Sequence, residues 1–348
     1  HRVLQVALSS GSGDCVPVYS GWPEKISHRG ASLAALAKIW DHYGFSHVSQ
    51  LYCQLQGHVM SCDPPPMELE GRENCVISVC MTARHLLHTG EYGAVKALFR
   101  SAEKLLESNG ASYKLLCQCK EEVWFDWCVR TGDVGAARRH LARLQSLDSQ
   151  SALLRSAILS CTVGNYTEAR RLALQLLKKS SPEIKRRALE LLGEVECASG
   201  RPALSLPHLM ESLALCHTHH LSPFTTQLRL AQAQLQLESP YACASIATRC
   251  LLHFQTCGDV VHRGMSQFLL AQASLLTTHQ DRGHLEQQDV MEVIPVLEEV
   301  VTDFQKASAT GHLHKAALLL ATVYDAAGYV DKRDKMAYIV RCTKSTHP

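Results

Sequence analysis

Apolar residues recur along this chain with the period of an α-helix. Between Asn165 and Lys179, the residues Ala169, Leu172, Ala173, Leu176 and Leu177 fall at i, i+3, i+4, i+7 and i+8 and share one face. Ile184, Ala188, Leu191, Leu192 and Val195 repeat the pattern in the next segment. No run alternates apolar and polar residues between turn signals, so the pattern predicts helices and no strands. Gly44, Gly90, Gly132, Gly164, Gly200 and Gly328 each stand where one helix must stop and reverse. Ending a helix there needs a positive φ, which glycine adopts without a steric penalty. Between Gly200 and Gly328 the turns are predicted at Ser239-Pro240 and within Thr277–Gly283. A turn every forty residues or so, roughly, is the period of helical-hairpin repeats.

The residues around these glycines are more specific. Gly164-Asn165-Tyr166-Thr167-Glu168-Ala169 resembles the hairpin turn of the tetratricopeptide repeat (TPR), with a polar residue, an aromatic and then a small residue after glycine. Gly132-Asp133-Val134-Gly135-Ala136-Ala137 is similar with Val134 in the aromatic slot, and Gly90-Glu91-Tyr92 keeps the tyrosine with Val95 in the alanine slot. In that family a small residue stands seven positions before the turn, where paired helices approach closely. Gly193, Ala83, Ala157 and Ala321 fill that slot, whereas Phe125 fills it before Gly132 and predicts a spread or distorted hairpin there. The resemblance implies an all-α, TPR-like helical-hairpin solenoid of about eight hairpins, wound as a right-handed superhelix. The array is expected over 26–342. Residues 1–25 read as a disordered or linker end, 58–71 (around Pro64-Pro65-Pro66) and 277–288 as irregular connections, and 343–348 as a tail. A long helix should follow the second connection, kinked at Pro295. Ser181-Pro182, Ser222-Pro223 and Ser239-Pro240 each place a capping hydroxyl before a proline suited to the first helical position. Ser-Pro is also a minimal site for proline-directed kinases, but the cap is the preferred reading.

Composition narrows the function. A hydrophobic fraction of 46% excludes wholesale disorder. Thirty-five Lys and Arg against 33 Asp and Glu leave a net charge of +2, which argues against a chain built to neutralise phosphates. No apolar run is long enough to span a membrane. The chain opens on His1 rather than Met, so a preceding segment is expected and a missing signal peptide says little.

The 15 cysteines and 19 histidines would suit metal or redox work, but their placement does not favour it. Cys80, Cys128, Cys161 and Cys197 lie inside helical apolar patterns, as buried thiols of a reducing compartment do. Cys216-His217-Thr218-His219-His220 holds four donor side chains, yet neighbours on a helix end point to different faces and no second ligand tract completes a zinc set. It reads as a solvated helix terminus. Cys117 and Cys119 have the wrong spacing for a redox pair. There is no phosphate-binding glycine loop, no dinucleotide fingerprint and no HExxH. No catalytic residue, metal site or cofactor is therefore expected.

What remains is a surface for partners. Trp124 and Phe125 read as core, while Trp127 either packs against the next hairpin or anchors a partner. The first helices of the hairpins would line the inner face with Arg84, Glu122, Asp126, Glu190, Glu194 and Lys315, and Arg130 shares the face of Glu122 and Asp126. This lining mixes both signs and lacks the Lys/Asn/Arg clamp with which chaperone-binding TPR domains hold a peptide carboxylate.

The C-terminal half resembles a more particular family, subunit five of the anaphase-promoting complex (cyclosome), in its C-terminal TPR region. The segments that carry it are Leu206-Pro207-His208-Leu209-Met210-Glu211-Ser212-Leu213-Ala214-Leu215, His262-Arg263-Gly264-Met265-Ser266-Gln267-Phe268-Leu269-Leu270-Ala271 and Val323-Tyr324-Asp325-Ala326-Ala327-Gly328. These are packing motifs, strongest beyond about residue 150. The resemblance implies a non-catalytic scaffold in the platform of a multisubunit ubiquitin ligase that controls cell-cycle progression, in the nucleus and cytoplasm. Its partners would be platform subunits one and four and small subunit fifteen, with ubiquitin transfer left to the cullin and RING subunits. No nucleic acid, membrane or small-molecule substrate is implied. The alternative is a general TPR adaptor that binds short peptides in its concave groove.

Overall fold

The structure is a computed structural model that describes residues 69–105, 111–178, 180–219 and 221–344. The expected linker at 1–25, the Gly44 turn, residues 58–68 and the tail beyond Lys344 lie outside the described residues. Among the described residues every regular element is a helix. The helices form seven hairpins: α1 (Leu69–Thr89) with α2 (Tyr92–Leu105), α3 (Ala111–Thr131) with α4 (Val134–Gln145), α5 (Ser149–Thr162) with α6 (Tyr166–Leu176), and α7 (Pro182–Ala198) with α8 (Pro202–His219). Then follow α9 (Phe224–Gln236) with α10 (Pro240–Cys257), α11 (Val260–Arg282) with α12 (Gln287–Lys306), and α13 (Thr310–Ala326) with α14 (Val330–Lys344).

The turns show why glycine marks them. Gly90, Gly132, Gly164, Gly200 and Gly328 all have φ between 74° and 84°. In each the next N–H reaches back five residues, as Asn165 N does to Ser160 O at 2.8 Å and Tyr329 N to Tyr324 O at 2.8 Å, which satisfies carbonyls the helix leaves open. The fifth hairpin makes the same turn on Glu238, at φ 57°. Side-chain caps start the helices that follow. Asp133 Oδ1 accepts from Ala136 N at 2.8 Å, Asn165 Oδ1 from Glu168 N at 3.3 Å, and Ser181 Oγ from Ile184 N at 3.5 Å. The other two Ser-Pro caps are not made. Helix α9 begins after Pro223, and Ser239 points its hydroxyl at Leu237 O.

Three expectations are corrected. Residues 69–71 belong to α1 rather than to an irregular connection. The polar stretch 277–288 is mostly helix: α11 runs to Arg282, Gly283 stops it at φ 76°, and α12 starts at Gln287. Polar residues there mark a helix face in water, not a loop; both partners of the Arg282–Asp289 pair across the turn sit in this polar surround. Third, the Gly132 turn has the geometry of the others despite Phe125. Phe125 is fully buried with Ala136, Ala137 and Leu141, so small residues on α4 leave the room that α3 lacks. Helix α12 runs unbroken through Pro295, which is exposed.

Small residues set the spacing of the array. A β-carbon on Gly193 would lie 2.7 Å from Leu209 Cδ2, and one on Gly264 would lie 2.9 Å from the Phe304 ring. Ala83 and Ala157 are fully buried in the same slot.

An open solenoid would let each hairpin touch its neighbours only. This array instead curls until the first two described hairpins meet the last two. Gly90, at the first turn, faces the Lys306 carbonyl, and the Tyr92 hydroxyl donates to Ala307 O. Thr310 Oγ1 donates to Arg130 O at 3.2 Å, and Arg130 Nη1 to Leu87 O at 2.6 Å. His88 lies 3.2 Å from Asp259.

Candidate functional site

The first helices of successive hairpins carry a seam of charge. Its centre is Glu122 on α3, almost wholly buried. It takes Arg84 of α1 at 3.0 Å and Arg155 of α5 at 3.4 Å, and accepts from Ser151 Oγ at 2.6 Å and Gln118 Nε2 at 3.2 Å. Burial raises its pKa, but the two guanidiniums and the two hydrogen bonds outweigh burial and hold it down at about 2. Arg155 also reaches Asp126 at 3.3 Å. One hairpin on, Arg186 of α7 bonds Glu190 and Glu183, and Thr225 and Thr226 of α9 both donate to Glu190. Burial would lower Arg186, yet Glu190 and Glu183 raise it above the ordinary arginine range. Glu194 pairs with Arg229 of α9 at 3.0 Å.

Of the residues expected on the inner lining, Arg84, Glu122, Asp126, Glu190 and Glu194 lie in this seam, paired with other groups of the chain. Arg84, Glu122 and Asp126 are one network, while Glu190 and Glu194 face the next pair of hairpins. Arg130 donates to the Leu87 carbonyl, and its own carbonyl accepts from Thr310 at the closure of the array. Lys315 is exposed on α13, and its charge reaches His312 and Cys161. Trp127 packs on Tyr92 at 5.6 Å and edge-on to Trp124 at 5.7 Å, with Lys96 Nζ 6.0 Å from both indoles. It is half-buried between the first two hairpins, so packing is what the fold asks of it. Sequence reasoning missed Arg155, Arg186 and Arg229, the cationic partners. Arg155 was findable, since it falls on the same face as Ser151 one turn earlier.

A second cluster sits where the array closes. Asp259 caps α11 by accepting from His262 N through Oδ1 at 3.0 Å. Its other oxygen, Oδ2, lies 2.6 Å from His262 Nδ1 and 3.2 Å from His88 Nδ1. Phe254 stacks on His262 with ring centroids 5.0 Å apart. Burial would raise the Asp259 pKa, but the two imidazoles hold it well below the ordinary carboxylate range. No local signal in the sequence joins His88 to the other two, because only the closure does.

The cysteine-histidine tract is where the sequence put it, at the end of α8. Cys216 points inward, with Sγ 3.6 Å from Ser222 O, while His217 and His219 are exposed. Burial raises Cys216 first, and it does the same to Cys128 (about 11), Cys161 (about 12) and Cys250 (about 12). No disulfide joins the described cysteines, and most are buried as packing residues.

No family model matches the chain. It is 21% identical over 318 residues to anaphase-promoting complex subunit 5 of Homo sapiens, covering 89% of this chain and 42% of that one. It is 22% identical to the subunit 5 of Mus musculus, covering 89% and 43%. The chain thus spans less than half the length of the curated relatives it matches. Among solved structures it is similar to a Rap protein complexed with competence and sporulation factor, with a TM-score of 0.55 at 11% identity over 78% of this chain and 77% of that one. That likeness speaks to the helical-repeat fold alone. The resemblance read from Leu206–Leu215, His262–Ala271 and Val323–Gly328 is borne out by the curated relatives: over 89% of its length the chain is similar to anaphase-promoting complex subunit 5 of several species.

Proposed function

We propose that this chain is a non-catalytic scaffold segment of the anaphase-promoting complex, the multisubunit ubiquitin ligase of cell-cycle control. The observation that carries the reading is similarity to subunit 5 across nearly the whole chain. The fold is compatible with it: a helical array offers a long surface to several partners at once. The charge seam supports a scaffold over a peptide receptor. Arg84, Arg155, Arg186 and Arg229 are each bonded to a carboxylate of the chain itself, which leaves these guanidiniums little to offer a peptide terminus. In this reading the partners are platform subunits one and four and small subunit fifteen, the setting is the nucleus and cytoplasm, and ubiquitin transfer belongs to other subunits.

The test is affinity purification of the natural full-length protein carrying this segment, followed by mass spectrometry. Co-purification of subunits one and four in near-equal amounts is expected. Recovery of none of the complex, with a single peptide ligand bound in the groove instead, would replace this reading by that of a general TPR adaptor.

A further inference from the structure

We propose that His88, Asp259 and His262 form a zinc site that clasps the first hairpin to the sixth. The site is assembled by the closure of the array. His88 comes from the last turn of α1, and Asp259 and His262 from the start of α11. Their three donor atoms all lie within 4.8 Å of one another. Zinc held at about 2.0–2.2 Å by each ligand needs donors roughly 3–3.6 Å apart. The His88–Asp259 distance of 3.2 Å already fits, and His262, at 2.6 Å from the same oxygen, has to move apart by less than about 1 Å.

The donor set has the right chemistry. Two imidazole nitrogens and one carboxylate oxygen suit a borderline divalent cation, and three protein ligands with a fourth position open to water is a common zinc arrangement. Asp259 divides its tasks. Oδ1 stays on the helix cap while Oδ2 faces both imidazoles, so coordination need not uncap α11. His262 is held in orientation by the stacked Phe254. His88 Nδ1 is a buried atom that lies near Asp259 without the alignment of a hydrogen bond. A buried nitrogen in that state costs free energy until something satisfies it. A cation between the three groups would do so, taking the place of the hydrogen bond between His262 Nδ1 and Asp259 Oδ2 and releasing its proton to water.

The test uses the whole 348-residue chain, stripped with chelator and titrated with Zn2+ by calorimetry, then with Co2+ as a spectroscopic stand-in. One equivalent is expected. The cobalt spectrum should show the bands of a nitrogen- and oxygen-ligated ion without thiolate-to-metal charge transfer. His88→Gln and His262→Gln should each weaken zinc binding by more than about tenfold. Zinc should raise the unfolding temperature of the parent chain but not of His88→Gln. Cys216→Ser with His217→Gln should leave uptake unchanged, which separates this site from the tract on α8. Circular dichroism of the metal-free variants checks that they keep the helical fold. No stoichiometric uptake by the parent, uptake by either histidine variant equal to the parent's, or a thiolate spectrum would each overturn the proposal.

Discussion

Leu209 fills the space where a side chain on Gly193 would begin, with its Cδ2 2.7 Å and its Cγ 2.8 Å from the position of that β-carbon. Leu209 is fully buried against Cys197 and Ala233, so it cannot swing aside. Gly193→Ala should therefore destabilise the fold by about 1–3 kcal/mol through overpacking, despite alanine's better helix propensity. Gly93 on α2 has nothing within 4 Å of its β-carbon position. Gly93→Ala should be neutral or stabilising by up to about 1 kcal/mol. Urea denaturation of both variants measures the contrast.

The Glu122 network predicts acid sensitivity. Glu122 sits at about 2 in the folded chain against an ordinary 4.5. A lowered carboxylate stabilises fully above its unfolded pKa and loses that contribution as pH falls from 4.5 through 2. His312 adds to this. Burial first, then the charges of Arg229 and Lys315, push it down to about 3 from 6.5. Its neutral form is the one the fold accepts, so its contribution also fades as pH falls, across 6.5 to 3. Thermal melts between neutral and acidic pH should show a progressive loss of stability. In Glu122→Gln the loss below pH 4.5 should shrink, and at neutral pH the variant should be weaker by roughly 1–3 kcal/mol, since Arg84 and the buried Arg155 each lose a charged partner.

The caps predict opposite results for two similar substitutions. Asp133 accepts from Ala136 N, so Asp133→Ala should cost about 1 kcal/mol. Ser239 makes no such bond, and Ser239→Ala should change stability by less than about 0.5 kcal/mol. Equal losses in chemical denaturation would contradict this assignment.

Thiol labelling should separate the cysteines by burial. Of the described ones Cys342 is exposed, whereas Cys128, Cys243 and Cys250 are buried and their thiols are pushed up to about 11, 11 and 12. At mildly alkaline pH Cys342 should be alkylated quickly in the folded chain, and the other three only after denaturant is added. Peptide mapping by mass spectrometry reads the order.

Elements dictated by near neighbours were legible in the sequence. The turns at Gly90, Gly132, Gly164, Gly200 and Gly328 fall where expected, because positive φ leaves a mark in residue type. The turn on Glu238 left no such mark in its own residue type, but Ser239-Pro240 beside it placed the reversal correctly. The helical course of 277–282 was hidden for a different reason. A helix that projects into water needs no apolar stripe, and periodicity was the signal being read. Arg84 and the carboxylates of the seam were legible from their helix faces, whereas Arg155, Arg186 and Arg229 were not, because pairing across hairpins depends on superhelical geometry. The meeting of Tyr92 with Ala307, 215 positions apart, is of that kind too.

The closure between Gly90 and Lys306 also bears on how such a chain can change over generations. An open repeat protein gains or loses a hairpin at little structural cost, because the units beyond the change merely shift along. Here one more or one fewer hairpin between the second and the sixth would carry Ala307 away from Tyr92 and Thr310 away from Arg130. The number of units is thus fixed by the need for the circuit to meet. Sequence drift can proceed within each hairpin while the count stays the same.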